Sequence, residues 1–306
     1  MLALAASLLF ACAALLQQQG GRTALAVDAA KRTAPPPPRR FPLVHAMTRV
    51  VRHPIWLLGW CTNLVGFLIQ AAALQAGSVA VVQPVLATQL LFTLLLIYLR
   101  RRQVPPPTAW LGGGGICVGL VVLLDVDGAA PLSGDPDRPS ILLAALAALG
   151  LVILLVSAAA RLPRSYTVLA AVAAGVCFAM SAVFLKLTTD DLINRGVGPT
   201  AQDWPGYFLA ASTLTGLLIE QGAFVAGPLA WSVAAMNVTN PLVSFCVGLL
   251  AFQVAVPDTP GELAGIASSG LLLVLGITAL AHIPTGEQPQ NWAALHASGD
   301  NITGQV

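Results

Sequence analysis

Charged residues are scarce in this 306-residue chain, at 9% of the sequence against 57% hydrophobic residues. A soluble domain carries roughly 25% charged residues, so this composition excludes a soluble globular protein. The net charge of +2 lacks the basic excess that favours binding to nucleic acid. The composition therefore predicts a polytopic membrane protein.

Cysteines are also few, and none of the five belongs to a CxxC pair. All five fall in apolar segments, where they are expected to be small packing residues without a disulfide or a metal. The four histidines lie outside the centres of those segments, and the glycine run at 112–115 has no P-loop lysine. Because no nucleophile and base can be paired, neither an enzyme nor a cofactor is expected.

Long apolar runs are what the sequence has in abundance. Segments of about 20 residues can cross a hydrocarbon core, and nine are read at 2–18, 55–76, 79–99, 108–124, 141–160, 166–187, 207–225, 229–252 and 263–281. They are continuous and rich in Ala and Leu, whereas strands of a membrane barrel alternate apolar and polar residues. The sequence thus predicts an all-α membrane bundle of about nine transmembrane helices, numbered here as predicted helices 1–9.

Lys and Arg are distributed unevenly between these runs. Twelve of the fifteen lie at 22–52, 100–102 and 161–164, which alternate crossings place on one side of the membrane. The other side receives only Arg138, Lys186 and Arg195. Because basic loops stay in the cytoplasm, the N-terminus is expected outside and the C-terminus inside.

The two halves of the chain are copies of each other. Residues 58–126 align without a gap on residues 208–276, at a constant offset of 150, and Gly66, Ala73, Ala76 and Gly115 recur as Gly216, Ala223, Ala226 and Gly265. Predicted helix 1 matches predicted helix 6, with Phe10-Ala11 aligned on Phe178-Ala179. Predicted helix 1 is therefore expected to be a retained helix. A signal peptide would carry a basic residue ahead of its apolar run, and none is present here.

Predicted helix 5 has no partner in the first half, so the arrangement is 4 + 1 + 4. One intervening crossing inverts the second unit relative to the first, as in many secondary transporters. The ancestral plan is then 5 + 5, and either this chain lacks the first helix or its start codon lies further upstream.

This arrangement divides the chain into four regions. They are a first repeat at 1–126 with a basic, Pro-rich cytoplasmic loop at 20–53, an acidic external loop at 127–140, a second repeat at 141–283 and a disordered cytoplasmic tail at 284–306.

Several local patterns carry a family resemblance: the segments 68–84, 218–229 and 238–248, and the closing helices around Gly115 and Gly265. Together they resemble the drug/metabolite transporter superfamily, specifically its EamA-like and NIPA-like proteins, from Leu2 to Ala281. The resemblance implies an exporter or exchanger of small polar metabolites or amphiphilic drugs. For the NIPA-like branch it implies magnesium uptake.

Polar residues inside the apolar segments are the candidates for binding a substrate or a proton. They are Glu220, Gln221, Gln70, Asn63, Gln83, Asn237, Asn240 and Ser244. Glu220 is the only acidic residue well inside a predicted span, where a charged carboxylate is costly unless it is paired or hydrated. It could carry protons, pair with a cationic substrate, or only hydrogen-bond between helices.

Asn63, Gly66 and Gln70 share one helix face with Ala73, as Thr213, Gly216 and Glu220 do with Ala223 in the second half. Small residues on such a face let helices approach closely, so the simpler interpretation is that both faces hold the two halves together.

Prolines interrupt predicted helices 3 and 8, at Pro84 and Pro241. Each removes one backbone hydrogen bond, and broken helices in corresponding places of two inverted halves indicate a midplane binding site. The cavity is therefore predicted among helices 2, 3, 7 and 8, unless the prolines only bend their helices.

The function expected is secondary transport of a small polar or amphiphilic solute by alternating access, coupled to protons through Glu220. The alternatives are a NIPA-like magnesium transporter, suggested by the acidic loop, and a non-transporting scaffold, suggested by the long basic loop. The expected partners are the solute and the lipid bilayer, with a homodimer left open. Richness in Ala, Gly, Pro and Arg with only two lysines favours a GC-rich genome, and hence a bacterial plasma membrane.

Overall fold

The computed structural model of the chain describes residues 1–30, 50–76, 85–125, 136–252 and 259–281. Within these ranges every long element is a helix, and no strand occurs. The helices are α1 (Leu2–Ala30), α2 (Pro54–Ala76), α3 (Gln89–Arg100), α4 (Pro107–Asp125), α5 (Arg138–Arg161), α6 (Tyr166–Arg195), α7 (Trp204–Ala226), α8 (Leu229–Ala251) and α9 (Pro260–Ala281). A 3-10 turn, Pro163–Ser165, precedes α6, and a five-residue helix, Val197–Ala201, leads towards α7.

Six of the described helices are long and apolar enough to cross a membrane. These spans are Leu2–Val27, Arg138–Arg161, Pro163–Arg195, Trp204–Ala226, Leu229–Ala251 and Pro260–Leu280. The helices α2, α3 and α4 contribute shorter apolar stretches. The chain is therefore a membrane-embedded, all-α protein with six full-length spans in its described part, three fewer than the sequence predicted.

Three helix boundaries differ from the predicted ones. The first helix continues to Ala30 and so takes up the start of the predicted loop at 20–53. The fifth begins at Arg138, inside the predicted loop at 127–140, because the side chain of Asp137 accepts a hydrogen bond of 3.2 Å from Ser140 N and caps the helix.

The sixth helix runs to Arg195, past the predicted end at 187. Its last turns carry ion pairs four residues apart, Lys186 with Asp190 at 3.3 Å and Asp191 with Arg195 at 3.3 Å. Such pairs stabilise helical turns that lie outside the apolar core, which explains why a hydrophobicity pattern ended the helix too early.

The most deeply buried helix is α6, which packs against α5, α7 and α8. Its buried surface consists largely of small residues: Ala170, Ala171, Ala173, Ala174, Gly175 and Ala179. A methyl group built on Gly175 would lie 2.8 Å from Cβ of Thr239 in α8. Small side chains thus allow several helices to approach α6 at once.

One closely packed helix pair of each half, α1 with α2 and α6 with α7, has its contacts at equivalent positions. A methyl group on Gly66 would lie 3.0 Å from Cε1 of Phe10, and one on Gly216 would lie 3.0 Å from Cε1 of Phe178. Gly66 and Gly216 are equivalent in the sequence repeat, and so are Phe10 and Phe178. The sequence duplication is therefore also a duplication of contacts.

These glycine faces pack within each half, on α1 and on α6. The expectation that they hold the two halves together is wrong, because each face meets its neighbour along the chain.

The most extensive contact between the halves is made by α4 and α9, which pack closely along their glycines. The hydroxyl of Ser269 donates a hydrogen bond of 2.8 Å to the carbonyl of Gly119. These two residues are 150 positions apart and so equivalent in the repeat. Further along, a methyl group on Gly276 would lie 2.7 Å from the carbonyl oxygen of Gly112. From the Gly119–Ser269 pair, the contacts move towards the start of α4 and towards the end of α9. The two helices therefore run antiparallel.

Candidate functional site

Glu220 lies in the last two turns of α7, where its side chain is half-buried. Its carboxylate has no hydrogen-bond or ion-pair partner among the described residues. In an apolar environment an ionised carboxylate is stable only when it is paired or hydrated. Glu220 therefore has a carboxyl group without a partner among the described residues, which makes it a candidate to bind a proton or a cationic group.

Gln221, beside it, is only 3% exposed, and both ends of its amide are already bonded. Trp56 Nε1 in α2 donates a hydrogen bond of 2.8 Å to its Oε1. Its Nε2 donates one of 2.7 Å to Oε1 of Gln17 in α1. Gln221 thus ties α7 to two helices of the first half, and in this conformation its amide is not free to bind a solute.

Two further side chains of α1 cap the C-terminal end of α7. Gln18 Nε2 donates to the carbonyls of Phe224 and Gly227, at 2.8 and 3.0 Å. Arg22 donates to the carbonyls of Val225 and Gly227, at 3.2 and 2.6 Å. The last carbonyls of a helix have no partner within it, and a cation there is favoured by the helix dipole. We refer to Gln17, Gln18, Arg22, Trp56 and Gln221 as the glutamine cluster.

The remaining candidates in the first half do not converge on a common point. Asn63 and Gln70 are half-buried on α2 and have no hydrogen-bond partner among the described residues. Since α2 packs chiefly on α1 and α7 chiefly on α6, the predicted pairing of their polar faces is not made. Gln83 and Pro84 lie outside the described residues, and so does most of the acidic loop at 127–140.

The predicted residues of α8 surround a proline inside the helix, Pro241. The side-chain nitrogen of Asn237 is buried and has no hydrogen-bond partner among the described residues. Two turns beyond it, Ser244 Oγ lies 3.5 Å from Oδ1 of Asn240, at the limit for a hydrogen bond. A buried donor without a partner costs about 1–3 kcal/mol, so Asn237 carries a donor that a bound group could satisfy.

At the opposite end of α7, two arginines and two aspartates join three helices. Arg138 of α5 pairs with Asp191 of α6 at 2.5 Å and with Asp203, the N-cap of α7, at 2.8 Å. Arg195 pairs with the same two carboxylates at 3.3 and 2.7 Å. We call these four residues the arginine–aspartate cluster.

The hydrogen bonds from Arg138 and Arg195 hold the pKa of Asp203 well below its usual range, at about 2. An open depression of about 480 Å³ adjoins this cluster and is lined by Arg195, Gly198, Pro199, Gln202 and Asp203. The two guanidinium groups balance the two carboxylates, so the cluster carries no net charge that would attract an ion.

Sequence reasoning missed most of the residues in both clusters. Gln17 and Gln18 stand at the end of predicted helix 1, where three consecutive glutamines after an apolar run were a signal for polar contacts. Trp56 gave no such signal, because a tryptophan near the end of a span is commonly an interfacial anchor. Ser181 and Ser212, which bond to each other between α6 and α7 at 2.9 Å, were also missed.

Comparison with known proteins finds a relative in Corynebacterium glutamicum that is described as an uncharacterized protein. It is 30% identical to this chain over 260 residues, which cover 82% of this chain and 85% of the relative. No family model matches the sequence, and no solved structure matches it.

Proposed function

This chain belongs to the same protein family as the Corynebacterium glutamicum relative, and we propose that it is a secondary transporter that moves a small polar or amphiphilic solute across the bilayer by alternating access. The observation that carries the proposal is the repetition of contacts in the two halves. The contact of Gly66 with Phe10 recurs as the contact of Gly216 with Phe178. In both, a methyl group on the glycine would lie 3.0 Å from Cε1 of the phenylalanine.

The contact between the halves supports an inverted arrangement. Equivalent residues of two copies touch each other only near the symmetry axis that relates the copies, and Gly119 and Ser269 do so at 2.8 Å. The helices that carry them run antiparallel. Inverted repeats of this kind let a carrier open to one side and then to the other, around a site near the midplane.

Glu220 is the residue proposed to bind the proton or the cationic group of the solute. It is half-buried and has no partner among the described residues. The unpartnered amide nitrogen of Asn237 is the second polar group proposed to contact the solute. One acidic group and a few neutral polar groups fit a small solute better than a large charged one.

The glutamine cluster is proposed to keep one end of the carrier closed. Gln221 accepts a hydrogen bond from Trp56 and donates one to Gln17, which links the two halves, and the side chains of all three are nearly fully buried. Alternating access requires these bonds to break when that end opens. The arginine–aspartate cluster lies entirely within the second half, so it does not hold the halves together.

The proposed setting is a bacterial plasma membrane, with a carrier of the drug/metabolite type whose N-terminus faces outward. The local sequence patterns support the type of carrier, and the basic loops support the orientation. This orientation places the glutamine cluster at the cytoplasmic end of α7. Magnesium transport is the alternative suggested by the acidic loop at 127–140, most of which lies outside the described residues.

The test is solute flux into proteoliposomes that contain the purified protein, driven by a pH gradient. A thermal-shift screen of polar metabolites, cationic amphiphiles and Mg²⁺ first selects the solutes, because ligands raise the stability of the native state. Wild-type protein should show flux that responds to the gradient, and Glu220→Gln should lose that response, because an amide does not titrate.

Asp190→Asn is the matched control, since Asp190 is an exposed carboxylate at the end of α6 whose ion-pair partner is Lys186. It should keep the pH response. Full pH-driven flux in Glu220→Gln would remove Glu220 from the mechanism. Folded wild-type protein that neither binds nor moves any solute of the panel would contradict the transporter proposal itself.

A further inference from the structure

A second contact, besides the glycine–phenylalanine contact described above, recurs between the helix pairs α1–α2 and α6–α7. A methyl group on Gly20 would lie 2.8 Å from Cβ of Trp56, and one on Gly206 would lie 3.8 Å from Cγ2 of Thr188. Both contacts give the same offsets, 168 positions between α1 and α6 and 150 between α2 and α7. The equivalence of α1 with α6 therefore extends as far as Thr188.

The contacts across the two halves, in contrast, are not equivalent. In the described structure α1 packs on α7, through the glutamine cluster. The equivalent packing would join α6 to α2, and no packing of comparable extent joins these two helices among the described residues. Two equivalent halves with an unequal contact have a second arrangement available, in which α6 packs on α2 and α1 leaves α7.

The equivalence of α1 and α6 shows which side chain would make this second contact. Gln18, which donates to carbonyls at the end of α7, is equivalent to Lys186. Arg22, the other donor, is equivalent to Asp190, whose carboxylate cannot donate to a carbonyl. Lys186 is therefore the donor left for the end of α2, at Ala76.

The charge of Lys186 also suits the end of α2. Neither α2 nor α7 has a basic residue in its last turn. The last carbonyls of a helix have no partner within it and favour a cation, and Arg22 supplies that cation to α7 from α1. The ion pair of Lys186 with Asp190, at 3.3 Å, joins side chains that are 30% and 42% exposed. Pairs as exposed as this one are weak, so Lys186 can leave it.

We propose that Lys186 closes the carrier at the end opposite to the glutamine cluster. In this second conformation it donates hydrogen bonds to the last carbonyls of α2 while the glutamine cluster is open. Trp56, in the first turn of α2, belongs to the glutamine cluster, so the last turn of α2 lies at the other end of the molecule. This inference rests on the proposed function, because a carrier needs two ends that close in turn.

Cysteine crosslinking in purified full-length protein whose native cysteines are replaced by alanine tests the proposal. The first pair is Gln17→Cys with Gln221→Cys, whose native side chains are 2.7 Å apart. The second pair occupies the equivalent positions, Leu185→Cys with Ala71→Cys, and Leu185 is 48% exposed in the described conformation. A short bifunctional maleimide should crosslink either pair. In protein that carries both pairs, either crosslink should block the other.

The readout is electrophoresis after cleavage at a protease site inserted between the two halves. Each pair joins one half to the other, so only crosslinked protein remains a single band after cleavage. Leu185→Cys with Ala72→Cys is the matched control, because Ala72 lies one position further around α2. It should crosslink more slowly than the pair with Ala71→Cys.

Substitutions at Lys186 test the role of its charge. Lys186→Met keeps the length of the side chain but removes the ammonium group, so crosslinking of the second pair should become about tenfold slower, as expected for the loss of a charged hydrogen bond. Lys186→Arg keeps a charged donor and should crosslink at the rate of the wild-type residue. Gln18→Met, which weakens the glutamine cluster, should make crosslinking of the second pair faster.

The proposal is overturned if the second pair crosslinks no faster than the control pair, if both crosslinks form in the same molecule, or if Lys186→Met leaves the rate unchanged. Flux measurements separate this result from the transporter proposal. Alternating crosslinks without any solute flux support the two conformations and contradict transport. Solute flux without a crosslink of the second pair overturns this inference alone.

Discussion

At the scale of single residues, the closest approach between the first two helices depends on Gly20. A methyl group there would lie 2.5 Å from the backbone nitrogen of Trp56 and 2.8 Å from its Cα. A backbone atom cannot rotate away as a side chain can, so Gly20→Ala must push α1 and α2 apart. Overpacking of this kind costs about 1–3 kcal/mol. We expect a lower unfolding temperature in a thermal melt of the purified protein.

The matched control is Gly150→Ala in α5. A methyl group on Gly150 would have no atom within 4 Å, and Ala is favoured over Gly inside a helix by roughly 0.5–1 kcal/mol. This variant should melt at or above the temperature of the wild type. If Gly20→Ala and Gly150→Ala changed the unfolding temperature equally, the contact between α1 and α2 would be looser than described.

Glu220 could be chosen as a candidate site residue from the sequence, because an acidic residue inside an apolar run stands out against its neighbours. Its position could not be predicted. The sequence puts Glu220 and Gln70 at equivalent positions of the repeat, but equivalent residues of a duplicated chain meet only near the symmetry axis. Gly119 and Ser269 lie there, whereas Gln70 and Glu220 lie on helices that pack on different partners.

At the scale of secondary-structure elements, the arginine–aspartate cluster connects the start of α5, the end of α6 and the start of α7. The pKa of Asp203 is lowered to about 2 by hydrogen bonds from Arg138, then Arg195, and from the backbone N–H of Trp204. A carboxylate with a pKa that is lower in the folded than in the unfolded state stabilises the fold above the unfolded-state pKa, near 4. That stabilisation is lost as the pH falls from about 4 to about 2.

We therefore expect wild-type protein to melt at a higher temperature than Asp203→Asn at neutral pH. The difference should stay constant down to a pH of about 4.5 and shrink below it, since protonated Asp203 is no better a partner for the arginines than Asn. The measurement is the unfolding temperature as a function of pH for both proteins. A difference that grows towards acidic pH would contradict this role of Asp203.

The elements themselves were predictable to different degrees. Hydrophobic runs located the helices, because a membrane span must be apolar over most of its length. Their ends were less predictable, because the last turns of α6 and the first turn of α5 rest on charged side chains. Asp137 and Asp191 therefore carry information about helix ends that hydrophobicity does not contain.

At the scale of the whole molecule, the sequence repeat predicted the relation between the two halves better than it predicted their contact surface. Fixed offsets relate Gly66 to Gly216 and Phe10 to Phe178, so one contact predicts the other. No offset shows which helices meet across the two halves. That choice depends on how closely two surfaces approach, and the glycines of α4 fit against α9 around Gly276.

The orientation of the whole molecule in the membrane gives the last prediction. Gly198 lies between α6 and α7 and Arg164 lies between α5 and α6, and both are exposed. Because α6 crosses the membrane between them, the two residues must face opposite sides. Because basic loops favour the cytoplasm, we predict that Arg164 lies in the cytoplasm and Gly198 outside.

Single cysteines test this orientation in protein whose five native cysteines are replaced by alanine. A membrane-impermeant maleimide added to intact cells should label Gly198→Cys and leave Arg164→Cys unlabelled. Inside-out vesicles should give the reverse pattern. Labelling of both residues from one side would mean that α6 does not span the membrane, and the reverse pattern in intact cells would invert the molecule. An inverted molecule would place the glutamine cluster at the outer end of α7, where it would close the carrier to the outside.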